Sequence, residues 1–410
     1  MTSLSITDVG PITKTAKIEF KRFCILIGPQ SHGKSTIAKI LSTCLWLEKE
    51  ACTSLSEQVI KDGLEFKTLL ESFHRIHDYI HPDRSSIDYE SDYVKIVYDK
   101  GNFNLSFKDN LSYERTKISY VPSDRNVVTM KDIEKRELEP TNFRSFLFDW
   151  LDTNRNFDSE HKIPILNLGM TYYYNDKAKE RMDMLSHENG VTYNISLYDA
   201  SSGMQSLVPM TVLMHYLVTD YFKNYGKDIS FEQKQKNRDL LSRIAEKSSH
   251  LNEEDVLSKM IDVSALYERL TSPRSITFIL EEPEQNLFPQ TQVSLFNDII
   301  TLCNSSHPSS VFITTHSPYI LAAANILLFA DKLRKTGVTQ ESITDSVGLN
   351  ASIAQNDFSA YTVSDGTCTS LIDPDTGLIR ENELDSASYY NAAVFEKLYC
   401  NRNREMQQKW

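Results

Sequence analysis

The chain has 410 residues, 40% of them hydrophobic and 24% charged, with a formal net charge of −12. That length holds a large core arranged as two or three lobes or as one domain with insertions, and the acidic balance argues against a surface coated for nucleic-acid binding while leaving room for a local basic groove. No apolar run approaches the ~18–20 residues of a membrane span, and no basic segment leading into an apolar stretch suggests export.

The six cysteines (Cys24, Cys44, Cys52, Cys303, Cys368, Cys400) lie far apart without a C-x-x-C pair. This points to a reduced cytoplasm and gives a zinc site no support. The basic clusters are small and read as solvated faces: Lys14, Lys17, Lys21 and Arg22, then Lys234, Lys236 and Arg238, then Arg402 and Arg404.

Leu4–Ile12 and Thr15–Phe20 read as two short strands around the turn Asp8-Val9-Gly10-Pro11. Phe23-Cys24-Ile25-Leu26-Ile27 is then a buried strand ending at a glycine, and Gly28-Pro29-Gln30-Ser31-His32-Gly33-Lys34-Ser35 fits the P-loop pattern G-x-x-x-x-G-K-[ST]. Ile37, Ile40, Leu41, Cys44 and Leu45 recur at helical spacing behind it, so strand and helix flank the motif as its chemistry requires. Glycines turn backbone N–H groups around phosphate oxygens, and the helix N-terminus adds partial positive charge. Lys34 reaches the outer phosphates, Ser35 ligates Mg²⁺, and Thr36 completes the binding set.

Leu64–His77 reads as an amphipathic helix, and Tyr93–Tyr98 with Phe103–Phe107 as a hairpin around Asp99-Lys100-Gly101-Asn102. Together they suggest an insertion over 51–112. Lys117–Pro122 looks like a core strand. Arg125 beyond it is read either as a contact to phosphate or to a neighbouring subunit, or as an ordinary exposed arginine. From Met130 to Asn189 the composition is charged and largely helical, with Tyr172-Tyr173-Tyr174 packing an interface or a core edge. Val191–Leu197 alternates, a helical run follows to Phe222, and Ile229–Leu270 reads as a compact helical subdomain.

Ile276–Leu280 delivers Glu281 and Glu282 at its carboxyl end, the Walker B arrangement. One acid serves the metal and the other polarises the attacking water, because neighbouring strand residues face opposite ways. Val311–Thr315 repeats the geometry with His316 at its exit, placed to meet a γ-phosphate. Asp373-Pro374-Asp375 has two-acid spacing, but it lies between Ala360–Val363 and Leu378–Ile379 and reads as a turn. Leu384–Leu398 reads as a closing helix.

These residues together resemble an ABC-type ATPase of the branch that holds RecF, SMC/Rad50 and the overcoming-lysogenization-defect (OLD) ATPases, the AAA_15/AAA_21-like group. Ser201-Ser202-Gly203-Met204-Gln205 resembles the ABC signature, with Met204 replacing its second glycine. Glu281-Glu282-Pro283-Glu284-Gln285-Asn286-Leu287 resembles the E-E-P-E-x-x-L form of Walker B in the OLD-like branch, and His316 matches the switch histidine. The loop, Tyr120–Arg125 and Asp199–Gly203 are further similar to the small ATPases of two-gene anti-phage systems such as PARIS.

The resemblance implies an α/β fold: an ABC-type P-loop core of mixed sheet flanked by helices, with an inserted helix and hairpin and a helical subdomain. The expected divisions are 1–50, 51–112, 113–330 (including the subdomain at 226–270) and a C-terminal lobe at 331–410. ATP and Mg²⁺ are the implied cofactors, with Lys34, Glu282 and His316 catalytic and Ser35 and Glu281 on the metal. Gly28 through Thr36 hold the nucleotide, while Ser202, Gly203 and Gln205 bind it from a second subunit. The implied role is a cytoplasmic defence ATPase. It works as a dimer or larger homo-oligomer, controls a nuclease or toxin effector, and takes DNA or a phage protein as its trigger. The alternative is a RecF/SMC-like DNA-binding ATPase of DNA repair.

Overall fold

The computed structural model describes residues 2–108, 112–176, 182–187, 192–225, 237–238, 240–244, 256–305, 307–337, 339–347, 351–382, 384 and 390–399. Sixteen strands, numbered in chain order, form three sheets among these residues.

The first sheet is antiparallel. It contains β1 (Thr2–Val9), β2 (Ile12–Lys14), β3 (Ile18–Phe20), β5 (Ser86–Glu90), β6 (Val94–Asp99) and β7 (Asn102–Phe107), the P-loop strand β4 (Phe23–Ile27) lying elsewhere. The predicted hairpin is present as β6–β7, and the turn at Gly10-Pro11 divides β1 from β2. β5 was not foreseen. It pairs with β1 from Ser3↔Glu90 to Thr7↔Ser86, so the stretch read as an insertion shares a sheet with the N-terminal strands.

The second sheet sits at the centre. Its order is β16 (Thr367–Ser370), β15 (Phe358–Ser364), β4, β14 (Ser309–Thr314), β13 (Ser275–Glu281), β8 (Thr116–Val121). β15, β4, β14, β13 and β8 all run parallel, and β16 closes one edge antiparallel. The region read as a C-terminal lobe therefore contributes two core strands, because β15 pairs with β4 from Phe358↔Phe23 to Thr362↔Ile27.

Both faces of this sheet are covered, as a parallel sheet requires. Phe23, Ile25, Ile27, Phe278, Leu280, Val311 and Ile313 pack on one side. They meet α3 (Asn142–Asn154), α4 (Ser202–Thr219), α7 (Pro289–Cys303) and α8 (Pro318–Lys335), with α5 (Tyr221–Asn224) and α6 (Val256–Thr271) preceding the last two in the chain. Cys24, Leu26, Ile279 and Phe312 face the other way, onto α1 (Lys34–Ser54) and the antiparallel sheet with α2 (Gly63–His74). α9 (Gln340–Val347) follows α8. No helix among the described residues is long and apolar enough to cross a membrane.

Residues 130–189 differ from their largely helical expectation. Only α3 is a longer helix there, and the third sheet follows with order β12 (Tyr193–Ser196), β11 (Met182–His187), β10 (Met170–Asn175), β9 (Ile163–Pro164). The three tyrosines alternate on β10, and Tyr172 alone turns fully inward, 5.6 Å from the Trp150 ring of α3. Its hydroxyl donates to Asp183, a half-buried carboxyl pushed up to about 6 by desolvation. A period of two beats composition here because one face of the strand covers α3.

Of the expected helical subdomain, 226–236, 239 and 245–255 lie outside the described residues; 237–238, 240–244 and α6 are helical. Of the closing helix, 390–399 is helical and 385–389 lies outside. Asp373–Gly377 is a turn. Asp373 Oδ1 accepts from the amides of Asp375 and Thr376 and the Thr376 hydroxyl, and the Gly377 amide donates to the Asp373 carbonyl. Cys24, Cys44, Cys52, Cys303 and Cys368 are free thiols, all buried, while Cys400 lies outside the described residues.

Trp150 is fully buried between α3 and β10. Trp150→Ala is expected to cost about 3–5 kcal/mol of stability, read as a lowered midpoint in denaturant titration followed by circular dichroism.

Candidate nucleotide site

The site is set by register. Leu26 on β4 lies beside Thr314 on β14, which lies beside Glu281 on β13. One step further, the Thr315 amide donates to the Leu26 carbonyl at 2.9 Å and the Glu282 amide to the Thr314 carbonyl at 2.8 Å. Three strands thus end level at the carboxyl edge of a parallel sheet, where α/β proteins bind ligands. The P-loop leaves the first, His316 the second, and the two acids the third.

The loop takes its shape from its glycines. Gly28 has φ of +141°, and a Cβ there would meet the Val363 carbonyl oxygen of β15 at 2.1 Å. Gly33, at φ +106°, caps α1. Lys34 is 5% exposed, and its Nζ donates to the carbonyls of Gly28 and Pro29, both at 2.8 Å. Burial pulls its ammonium down to about 8, opposed by the negative charge of Glu282 and Glu284.

A cavity of about 560 Å³ opens over the loop. It brings together Gln30, Ser31, Gly33, Lys34, Ser35 and Thr36 with Glu282 and His316. Gly28 and Pro29 take part through their carbonyls. The half-buried His32 turns aside, its Nδ1 2.8 Å from the Gln30 carbonyl oxygen. Pro11, Lys39, Ile76 and Tyr79 also line the cavity and were not foreseen. The Gly10 amide donates to the Tyr79 carbonyl at 2.9 Å, a contact between distant segments that leaves no local signal.

Glu282 and His316 face each other, with Oε1 and Nε2 3.3 Å apart. The imidazole holds the Glu282 carboxyl below its ordinary range, so it is ionised at neutral pH. Glu282 also has φ of +44°, a left-handed backbone that non-glycine residues avoid at a cost of about 1–3 kcal/mol.

Glu281 lies behind the cavity rather than on it. It is 4% exposed, accepts from the Tyr120 hydroxyl at 2.6 Å and from the Ser123 amide at 3.2 Å, and shares the sheet face of Ile279. Glu284 is half-buried; its Oε1 accepts from the Thr315 hydroxyl and the His316 amide, both at 2.7 Å. Desolvation raises its carboxyl above the usual range.

Arg125 corrects both readings made of it. It is 0% exposed and reaches no surface, and all of its described hydrogen bonds go to backbone carbonyls. Ser202, Gly203 and Gln205 do not line the cavity of their own chain. Ser202 is exposed at the start of α4, and Gln205 turns back to donate to the Tyr198 carbonyl at 2.6 Å.

Among the described residues no cluster of three or more His, Cys, Asp or Glu side chains is arranged to hold a metal. What the cavity offers is the Ser35 hydroxyl and the Glu282 carboxylate, with Glu281 behind. A few hard oxygen donors fit Mg²⁺, which keeps most of its waters and takes the rest of its ligands from phosphate.

Strand order, loop and paired acids give the chain the fold of an ABC-type P-loop ATPase. Residues 263–321, from α6 through β13, α7 and β14 into α8, match the family described as AAA ATPase domain (AAA_15). The match includes Glu281, Glu282 and His316 but not the P-loop. The chain aligns with an SMC head bound to the C-terminal winged-helix domain of ScpA at 8% identity and TM-score 0.41, over 90% of this chain and 95% of that one. It aligns with the SMC head domain of Thermotoga maritima at 9% and 0.37, over 93% and 98%. With the recombination mediator RecF the values are 10% and 0.31, over 90% and 97%. Overlaps this loose say nothing about chemistry. No curated protein matches the sequence.

Phosphate favours the charged form of Lys34, so nucleotide binding is strongest where the ammonium is already protonated. ATP affinity is expected to be flat below about pH 8 and to fall above it by up to about tenfold per pH unit. Titration with a fluorescent ATP analogue from neutral to alkaline pH measures this, and Lys34→Met should bind weakly and lose the alkaline limb.

Proposed function

We propose that this chain is an ATP-driven switch, closed by a second copy of itself, that controls a partner effector in anti-phage defence. The observation that carries the reading is the division of the site. Loop, Glu282 and His316 share one cavity, while the signature-like Ser202 and Gly203 stand at the start of α4, outside it. A second subunit docked head to tail supplies them to the phosphates. ATP occupancy then governs assembly, since two acidic surfaces have little reason to close without it.

On binding, the loop amides and the α1 N-terminus donate to the phosphates, and Lys34 exchanges the Gly28 and Pro29 carbonyls for phosphate oxygens. Mg²⁺, when bound, spreads the charge of the triphosphate. Ser35 and Glu282 on the cavity wall, with Glu281 behind them, would hold it and its waters. Glu282 stays ionised against His316 and orients the attacking water, while His316 contacts the γ-phosphate. Pro11 and Tyr79 give the cavity an apolar wall suited to a nucleobase. Support for the defence role is the likeness of the loop, of Tyr120–Arg125 and of Asp199–Gly203 to two-gene defence ATPases.

Glu282→Gln is expected to slow hydrolysis by on the order of 10²-fold while ATP still binds, and to accumulate an ATP-dependent dimer in size-exclusion chromatography. Ser202→Ala should prevent that dimer. Unchanged turnover in Glu282→Gln would sink the assignment. Co-purification with the product of a neighbouring gene tests the effector, whereas DNA-stimulated, salt-sensitive turnover would favour the repair reading instead.

A further inference from the structure

Arg125 opens a short 3-10 helix (Arg125–Thr129) after β8, and its guanidinium is wholly enclosed. Its Nε donates to the Ser206 carbonyl at 2.9 Å. One terminal nitrogen donates to the carbonyls of Pro122 at 3.3 Å and Glu281 at 2.9 Å, and the other to those of Glu282 at 2.8 Å and Pro283 at 3.3 Å. All five N–H donors of the side chain are spent, and they join three segments, of which strand pairing connects only the β8 and β13 exits. These are the β8 exit, the first turns of α4 and the β13 exit.

A second contact ties α4 to the β13 exit. A Cβ on Gly203 would lie 2.7 Å from the Asn286 carbonyl oxygen, so the tip of α4 rests directly on the turn after the acids. Further along α4, Pro209 has no N–H to give the Gln205 carbonyl, which loosens the tip from the rest of its helix. Glu282, at the other end, sits in a strained backbone held by the Thr314 carbonyl and by Arg125.

We propose that Arg125 is a positioning residue that carries engagement of Ser202 and Gly203 with a neighbouring subunit to Glu282 of its own chain. Each site would then report to the other across the dimer. The inference rests on the cross-subunit reading above.

A double-mutant cycle in steady-state ATP hydrolysis tests it. Lys at position 125 keeps the charge but cannot span three segments. Arg125→Lys should lower kcat by about tenfold or more with KM within about twofold, because Arg125 does not line the cavity. Ser202→Ala should lower kcat comparably alone, yet by less than about twofold in the Arg125→Lys background. Independent, multiplying effects, or an Arg125→Lys enzyme of normal kcat, would overturn the role of Arg125 and leave the cross-subunit reading standing. A Ser202→Ala enzyme of normal kcat would overturn that reading and the inference with it.

Should Arg125→Lys not fold, hydrogen exchange on the unaltered chain decides. With ATP and Mg²⁺, segments 202–208 and 282–287 should gain protection together, and Ser202→Ala should lose both gains. Protection of the first segment without the second refutes the proposal.

Discussion

The parallel pairing of β4, β14 and β13 is the constraint on which the rest depends. Their backbones are level at Leu26, Thr314 and Glu281, and the ladder runs one bond past each strand, through the amides of Thr315 and Glu282. A slip of one residue in either pairing would reverse which side chains face α1 and which face α7. It would also move an acid or the histidine off the cavity by one strand step. The cores on the two faces, Cys24, Leu26, Ile279 and Phe312 against Phe23, Ile25, Phe278 and Ile313, hold that register.

Around this edge the buried charges are arranged by division of labour. Glu281 faces Tyr120, Glu282 faces His316, and Glu284 holds the backbone that carries His316. Three carboxyls within four residues would repel one another if left to face a common space. Arg125 lies beneath them without pairing to any carboxylate; it is drawn down to about 10 by desolvation, with Glu284, Glu282 and Glu281 opposing the shift. Its cation offsets their field while its N–H groups go to backbone. A buried charge kept this way is costly to place and costly to remove, since removal strands both the carbonyls and the acids.

The loop, the acids and His316 were legible in the sequence because each is carried by one contiguous strand and the residues after it. The shape of their environment lies within a few positions, and the fold class followed from them. What local patterning could not show is pairing across long separations. β5 finds β1, β15 finds β4, and the Tyr172 strand covers Trp150, each through contacts that no window of sequence contains. Arg125 belongs to the same class. A charged residue between Asp124 and Asn126 has every local mark of a surface loop, and only the convergence of Pro122, Ser206 and 281–283 encloses it. Pro11 and Tyr79 reach the cavity in the same nonlocal way.

The pairing of β1 with β5 also bears on how the molecule is made. Ser3 and Glu90 are 87 residues apart, so on the ribosome β1 leaves the exit tunnel well before its long neighbour exists, with only the short β2 and β3 beside it. Closing so distant a pair is slow relative to local hairpins. The P-loop strand, emerging in that interval, waits longer still for β14. The turn after β4 is thus synthesised long before the strands that wall it.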